Sequence, residues 1–437
     1  MASCLFAEAT YVPYTTMAED FGSNTCAGCA IAWEGLQVPL AQTHNGEFFV
    51  AKLYTQSGDL TTPAVLDRFA YYEVLGIPAV IFNGKTRVNG SGDGIADGTQ
   101  YISALNNYRY SSSPLMMEVT NFIPATGVFS GRVRMVSPTV NIENAQVVYY
   151  LLEDNISLNE THVVRSVLYD DFDLSGANAT FNFSKTFTVN PTWNTANLWA
   201  VASVQLEDKA IVQNVSTLTM PDYNLRVAMD WNQNIVQPPT LTTYLSQPFW
   251  IFNQGLRDDF TTQIVVDSAP NDWYFNYCDE DNNCYVGSME VPWSLGDGET
   301  KAFHLNIMLN SPGMAHFRFV ITSNHIGTYS VPFTYATEGS AVNDEILVNQ
   351  ALRMGSIYPN PVKQQAELEL NSDKAFASVA IDIFNLKGQK VQSIPVNNIS
   401  QGTNRINFTP DSVLPNGVYF YRLQGSANPA QKFILMK

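Results

Sequence analysis

Ten residues constrain this chain more than any others: Asp20-Phe21-Gly22-Ser23-Asn24-Thr25-Cys26-Ala27-Gly28-Cys29. A strand-like segment, residues 14–21, runs into them. A helix-like one, residues 30–42, leaves them with Trp33, Leu36 and Leu40 spaced for one face. A C-x-x-C pair at such a junction puts Cys26 at a helix N-terminus, where unpaired N–H groups and the helix dipole favour a thiolate. The thiolate is the reactive form, and Cys29 is placed to resolve a mixed disulfide. The plainer alternative is a closed bridge that only staples the helix start. No Lys, Arg or His falls within the motif, and Glu19 adds negative charge beside it.

At 437 residues the chain is too long for one typical domain. Tyr and Phe are abundant, with 21 and 25 copies, and together with recurrent Thr they favour strands. The net charge of −17 would repel a phosphate backbone, so nucleic acid is excluded as a partner. No apolar run is long enough for a membrane-spanning helix, so no transmembrane segment is expected. There are five cysteines: Cys4, Cys26, Cys29, Cys278 and Cys284. Ala7-Glu8-Ala9 has the small-x-small form of a cleavage site, so residues 1–9 read as a signal-peptide remnant. Cleavage there leaves four cysteines in two close pairs, which suits an oxidising, extracytoplasmic compartment.

Punctuation divides the rest. Thr62-Pro63 opens a helix toward Leu75, and Asn83-Gly84 marks a hairpin after an apolar strand, residues 79–82. Asp97 is expected to cap a helix over residues 98–108. Ser111-Ser112-Ser113-Pro114 is a linker. Short alternating strands then continue to about residue 219, and after Met220-Pro221 a second strand-rich stretch runs over residues 222–336. Both read as β-sandwiches. Residues 337–345 form another linker, and residues 352–437 show alternating strands with turns at Leu386-Lys387-Gly388 and Pro415-Asn416-Gly417.

Residues 10–110 resemble a thioredoxin-like domain at four positions. Cys26 and Cys29 match the dithiol, Asp20 the buried carboxylate beneath it, and Pro78 in Gly76-Ile77-Pro78-Ala79-Val80 the cis-proline packed on it. The resemblance implies that Cys26 attacks, Cys29 resolves, Asp20 shuttles the proton and Pro78 docks the substrate chain. Thr25 and Ala27-Gly28 stand where thioredoxins usually have Trp and Gly-Pro. His162-Val163-Val164-Arg165 and residues 202–213 resemble the second domain of Bacteroidetes-type surface and outer-membrane proteins that join a thioredoxin-like domain to an immunoglobulin-like one. The tail, with Tyr358-Pro359-Asn360-Pro361, Pro415-Asn416-Gly417-Val418-Tyr419 and Lys432-Phe433-Ile434-Leu435, resembles the C-terminal sorting domain of type IX secretion.

The expected architecture is therefore multidomain, α/β plus all-β: a thioredoxin-like fold over residues 10–110, immunoglobulin-like β-sandwiches over residues 115–220 and 222–336, and the sorting domain over residues 352–437. Cys278 and Cys284 are expected to form a structural disulfide closing a short loop. Between them, Asp279, Asp281 and Asn283 alternate, and Glu290 follows eleven residues after Asp279. That partly mimics a calcium loop, but Cys284 stands where the turn needs Gly and the flanks are strands, so a disulfide-pinned turn is the better reading. Zinc at Cys26 and Cys29 lacks two further ligands. Asp170, Asp171, Asp173, Asp258 and Asp259 read as loop acids, and no G-x-S-x-G elbow supports a hydrolase.

The leading functional expectation is a secreted or cell-surface thiol-disulfide oxidoreductase-like protein, exported by type IX machinery and using no cofactor. Its partners would be protein thiols or disulfides. The competing class is a non-enzymatic surface binding or adhesion protein for a protein or glycan ligand, with a structural disulfide at Cys26–Cys29. Fold alone does not choose between them.

Overall fold

Thr16–Gly22 (β1) and Phe48–Tyr54 (β2) are buried at all seven positions each, as strands covered on both faces are. The computed structural model, which describes residues 9–90, 94–157, 160–237, 242–337, 352–372, 376–385, 390–423 and 431–437, pairs them in parallel from Thr16↔Phe48 to Gly22↔Tyr54. The helix α1 (Ala27–Ala41) makes the crossover. The next helix, α2 (Pro63–Tyr71), starts where Pro63 fits the first turn and the Thr62 hydroxyl accepts the Val65 N–H. The strand β3 (Ala79–Phe82) pairs antiparallel with β1. Asn83 and Gly84, both at positive φ, then turn the chain into β4 (Thr86–Asn89). The helix α3 (Thr99–Asn106) follows, with Gly98 rather than Asp97 at its N-cap, although Asp97 Oδ1 accepts the Thr99 N–H at 2.9 Å.

Strands β5 (Leu115–Ile123), β6 (Val128–Met135), β7 (Asn141–Glu153), β8 (Val163–Ser175), β9 (Thr180–Thr186), β10 (Leu198–Gln205) and β11 (Ile211–Ser216) come next. Four of them do not form a sheet of their own. They continue the first one, in the order β11-β10-β7-β8-β2-β1-β3-β4. The join is a parallel contact, Val163↔Lys52, with Lys52 N–H donating to His162 O at 2.7 Å. The eight-stranded sheet coils so that its ends meet. Ile211 N–H donates to Asn83 O at 3.0 Å, and Lys85 Nζ reaches Asp208 at 2.8 Å. Met17, Phe49, Val148, Tyr150, Trp199 and Val201 then share one core. On its other side the extension packs on the three-stranded sheet β9-β6-β5.

This overturns the expected fold class. The chain is nearly all-β. Among the described residues it has three α-helices, of 15, 9 and 8 residues, against strands from end to end. The strands and helices of residues 10–110 are not a free-standing α/β, thioredoxin-like domain, because their sheet is half of a larger one. One of its faces is covered by β7 and β10 rather than by helices alone.

A two-sheet sandwich follows, built from β12 (Leu225–Ala228), β13 (Asn234–Gln237), β14 (Thr243–Leu245), β15 (Phe249–Asn253), β16 (Asp258–Ser268), β17 (Tyr274–Asp279), β18 (Cys284–Val286), β19 (Val291–Leu295), β20 (Thr300–Met308), β21 (Met314–Ser323) and β22 (Gly327–Thr337). One sheet runs β12-β15-β20-β17-β18 with β14 also on β20, and the other runs β13-β22-β21-β16-β19. Phe249, Tyr277, Phe303, Phe319 and Phe333 fill the space between. The tail makes a three-stranded and a four-stranded sheet around Leu368, Ile381, Tyr421 and Phe433. No helix among the described residues is long and apolar enough to cross a membrane. Cys4, Ala7 and Glu8, the linker beyond Thr337, and the turn at Leu386-Lys387-Gly388 lie outside the described residues.

Candidate functional site

The first cluster gathers where β1 ends and α1 begins. Cys26 is the N-cap of α1, extended at φ −94° and ψ 109°, and is disulfide-bonded to Cys29 with a Cα–Cα distance of 5.2 Å. Its Sγ accepts the Cys29 N–H at 3.1 Å. That is the position from which a helix terminus would stabilise negative charge on sulfur. The first turn, Ala27-Gly28-Cys29-Ala30, carries no charged residue. Cys26 is half-buried, and Cys29 is 7% exposed. Cys29 packs over Gly22, where an added Cβ would lie 3.4 Å from Cys29 Cβ and 3.5 Å from its Sγ.

Alternation along β1 puts Asp20 on the same side as Gly22 and Ala18, facing α1. Asp20 is 4% exposed, and its Oδ1 has no hydrogen-bond partner among the described residues. Burial pushes its carboxyl up to about 6, with Lys52 pulling the other way. Pro78 follows a cis peptide from Ile77 and precedes the pair Ala79↔Phe21. Continuing that register by one residue sets Pro78 opposite Gly22. The four residues singled out in the sequence, Cys26, Cys29, Asp20 and Pro78, thus converge on one strand end.

Lys52 escaped the sequence reading. It is paired in register with Asp20, and its Nζ sits 3.7 Å from the Trp33 ring centroid. Burial brings its ammonium down to about 8, opposed by Asp20 and Glu160. A lysine inside Phe48-Phe49-Val50-Ala51-Lys52-Leu53-Tyr54 was the available signal, since a charge in an otherwise apolar strand needs a partner.

The second cluster lies on the outer face of the six-stranded sheet. Cys278 and Cys284 are disulfide-bonded directly across β17 and β18. Tyr274, Val286, Leu245 and Met308 are exposed on the strands around them, with Asn276 and Asn306 between. The acidic turn between the cysteines is closed on itself. Asp279 Oδ1 accepts the N–H groups of Asp281 and Asn283 at 3.0 and 2.9 Å, and its Oδ2 accepts Asn283 Nδ2 and the Tyr285 hydroxyl. Asp281 and Glu290 are exposed, and Asn283, also exposed, is turned back onto Asp279. Among the described residues no group of three or more His, Cys, Asp or Glu is arranged to hold a metal. Asp170 bonds the Tyr149 hydroxyl and Lys185, and Asp258 bonds Ser323 and His325.

Residues 356–437 match the family model described as a secretion system C-terminal sorting domain. The chain is an exported protein, secreted or held at the outer-membrane surface. The type IX address expected from the tail is supported, and with it the secretion machinery as a partner. No curated protein matches the chain. Among solved structures it is similar to HBP35 of Porphyromonas gingivalis, at 14% identity over 74% of this chain and 98% of that one, with a TM-score of 0.39. It is also similar to the N-terminal domain of PorA, at 15% identity over 27% of this chain and 100% of that one, with a TM-score of 0.21. A third is dimeric latent PorU from Porphyromonas gingivalis, at 13% identity over 80% of this chain and 39% of that one, with a TM-score of 0.17. Superpositions this loose fix neither a fold nor an activity.

Proposed function

We propose that this exported chain is a non-enzymatic surface protein that binds a protein or glycan ligand, with Cys26–Cys29 closed as a staple at the start of α1. Residues 10–220, which share the eight-stranded sheet, and residues 222–336 would be its working modules, and residues 352–437 its address. The observation that carries the reading is the outer sheet face, where Tyr274, Val286, Leu245 and Met308 stand exposed together. Grouped apolar exposure of this kind, unlike scattered single residues, marks an interaction surface. Asn276 and Asn306 add amide donors and acceptors to it. The test is binding of the purified chain to proteins and glycans displayed from bacterial surfaces, against a Tyr274→Asp/Met308→Asp variant. A loss of ten-fold or more is expected, and equal binding by the folded variant rejects the reading.

A second reading is supported by one specific observation, the buried Asp20 Oδ1 near the bridge, which has no hydrogen-bond partner among the described residues. A buried carboxyl pushed up to about 6 can take and return a proton near neutral pH, as exchange at Cys26–Cys29 requires. Cys26 would attack, Cys29 resolve, and Pro78 border the docking edge. Insulin reduction by a dithiol-recycled chain, with Cys26→Ser as control, tests it. Turnover no higher than the control removes it.

A further inference from the structure

We propose that Cys278–Cys284 is a thiol-exchange site in its own right, opened at Cys284, with cationic thiols preferred, while the hairpin around it stays folded. The proposal rests on neither reading of Cys26–Cys29 nor on the ligand-binding face.

The position of the bridge carries the argument. Cys278 stands directly opposite Cys284. The cross-strand bonds from Gly287 N–H to Phe275 O (2.8 Å) and from Asp279 N–H to Asn283 O (3.0 Å) fall on the odd-numbered pairs. Cys278↔Cys284 is therefore a non-hydrogen-bonded pair, where antiparallel strands approach closest. The Cα–Cα distance is 4.0 Å. Exposed bridges are the labile ones.

Access is one-sided. Cys284 is exposed, whereas Cys278 is 1% exposed. An incoming thiolate can therefore reach Cys284 Sγ, with the Cys278 sulfur as leaving group. The hairpin does not need the bridge. Asp279 ties the turn through four hydrogen bonds, Tyr277 anchors β17 in the core, and β17 is also paired along its length with β20.

Charge sets the preference. Asp279, Glu280 and Asp281 follow Cys278 directly, and Lys301 is paired with Glu280 at 3.2 Å. His304, opposite Cys278, is held below its ordinary pKa by burial and adds no positive charge at neutral pH. The local field is negative, so it attracts a cationic thiol and repels an anionic one.

In the reaction, RS⁻ attacks Cys284 Sγ. The Cys278–Cys284 bond breaks, a mixed disulfide forms at Cys284, and the electron pair leaves on Cys278 Sγ, which takes a proton from water. A second thiol then attacks the mixed disulfide and releases RSSR and the Cys284 thiol. Two thiols are oxidised and one protein disulfide is reduced.

The experiment treats the full chain with cysteamine or 2-mercaptoethanesulfonate, at matched thiolate concentration and without denaturant, then quenches with acid, alkylates free thiols with N-ethylmaleimide in mildly acidic denaturant and maps peptides by mass. The expected result is a mixed disulfide on Cys284 with alkylated Cys278. Cysteamine should be faster by about three-fold or more near 10 mM ionic strength, and the difference should close near 1 M, where screening is short-ranged. Opening only under unfolding conditions, an adduct on Cys278, or equal rates for the two thiols at low salt would overturn the proposal. In a Cys278→Ala/Cys284→Ala variant, hydrogen exchange across residues 274–286 should keep its protection, and loss of that protection overturns the claim that the hairpin stands alone.

Discussion

Asp20 and Lys52 face each other across the parallel pair β1–β2, both buried, two residues before the strand end on which Cys29 packs. Each is pushed toward its neutral form by burial and held back by the other's charge. For Asp20 burial wins, because its carboxyl rises to about 6 from an ordinary value of 3.8. The folded state therefore binds a proton more tightly than the unfolded chain. That contribution is complete below about pH 4 and is lost as pH rises through about 6. Asp20→Asn should consequently stabilise the chain at pH 7.5, by up to about 3 kcal/mol for two pH units, and have little effect at pH 4. Urea unfolding at the two pH values measures this. A destabilised variant at pH 7.5 would show that the pair with Lys52 outweighs burial.

On the opposite face of β1, Glu19 is fully buried and receives Arg68 through Nε and Nη2 at 3.0 and 2.8 Å. Tyr72 and Tyr150 donate to the same carboxylate at 2.5 and 2.9 Å, and Gln205 Oε1 accepts from Arg68 at 2.7 Å. The network ties β1 and α2 to β7 and β10. Removing one partner of a buried ion pair strands the other charge, at about 3–5 kcal/mol. Arg68→Met should lose that much by urea unfolding, and Glu19→Gln/Arg68→Met should recover a large part of it. A double variant no better than Arg68→Met alone would mean the arginine acts through packing.

Reduction should expose the asymmetry of the first bridge. Cys26 is half-buried at the helix cap and Cys29 is buried against Gly22. Alkylation of the reduced chain without denaturant should label Cys26 at least about ten-fold faster, since reactivity follows thiolate character and access. The pH at half-maximal rate also separates the two functional readings. A value near about 8.5, that of an unperturbed thiol, fits the staple, and a lower one fits exchange.

The elements with local signals were legible. Thr62-Pro63, Asn83-Gly84 and the cap at Cys26 each act through a few neighbouring residues, and α2, the β3–β4 turn and α1 start where they direct. The helix after Thr62-Pro63 ends at Tyr71 rather than near Leu75, because Glu73 turns at positive φ. What could not be read was the fusion of sheets. It rests on Val163 meeting Lys52, more than a hundred residues away, and a single parallel contact leaves no periodicity behind. The same holds for the Glu19 network, whose members are scattered from β1 to β10. Asp279, Asp281 and Asn283 alternate like ligands, yet the Asp279 carboxylate is consumed by its own turn. Alternation alone does not distinguish a ligand set from an Asx turn.

The tail supplies the last prediction. Residues 352–437 bury Leu368, Leu370, Ile381, Ile383, Tyr421 and Phe433 among themselves, so their core is local. The preceding sandwich closes its own core around Phe249, Phe303 and Phe319. Deleting residues 352–437 should therefore leave the remainder folded, with its thermal midpoint and near-ultraviolet circular dichroism close to those of the full chain. Because residues 356–437 carry the sorting-domain match, the same deletion should stop the chain short of the cell surface. Fractionation of the producing bacterium would find the shortened chain soluble in the periplasm and absent from the surface and medium. Surface display of a folded, shortened chain would separate export from the tail, while a shortened chain that unfolds would place part of the sandwich's stability in residues 352–437.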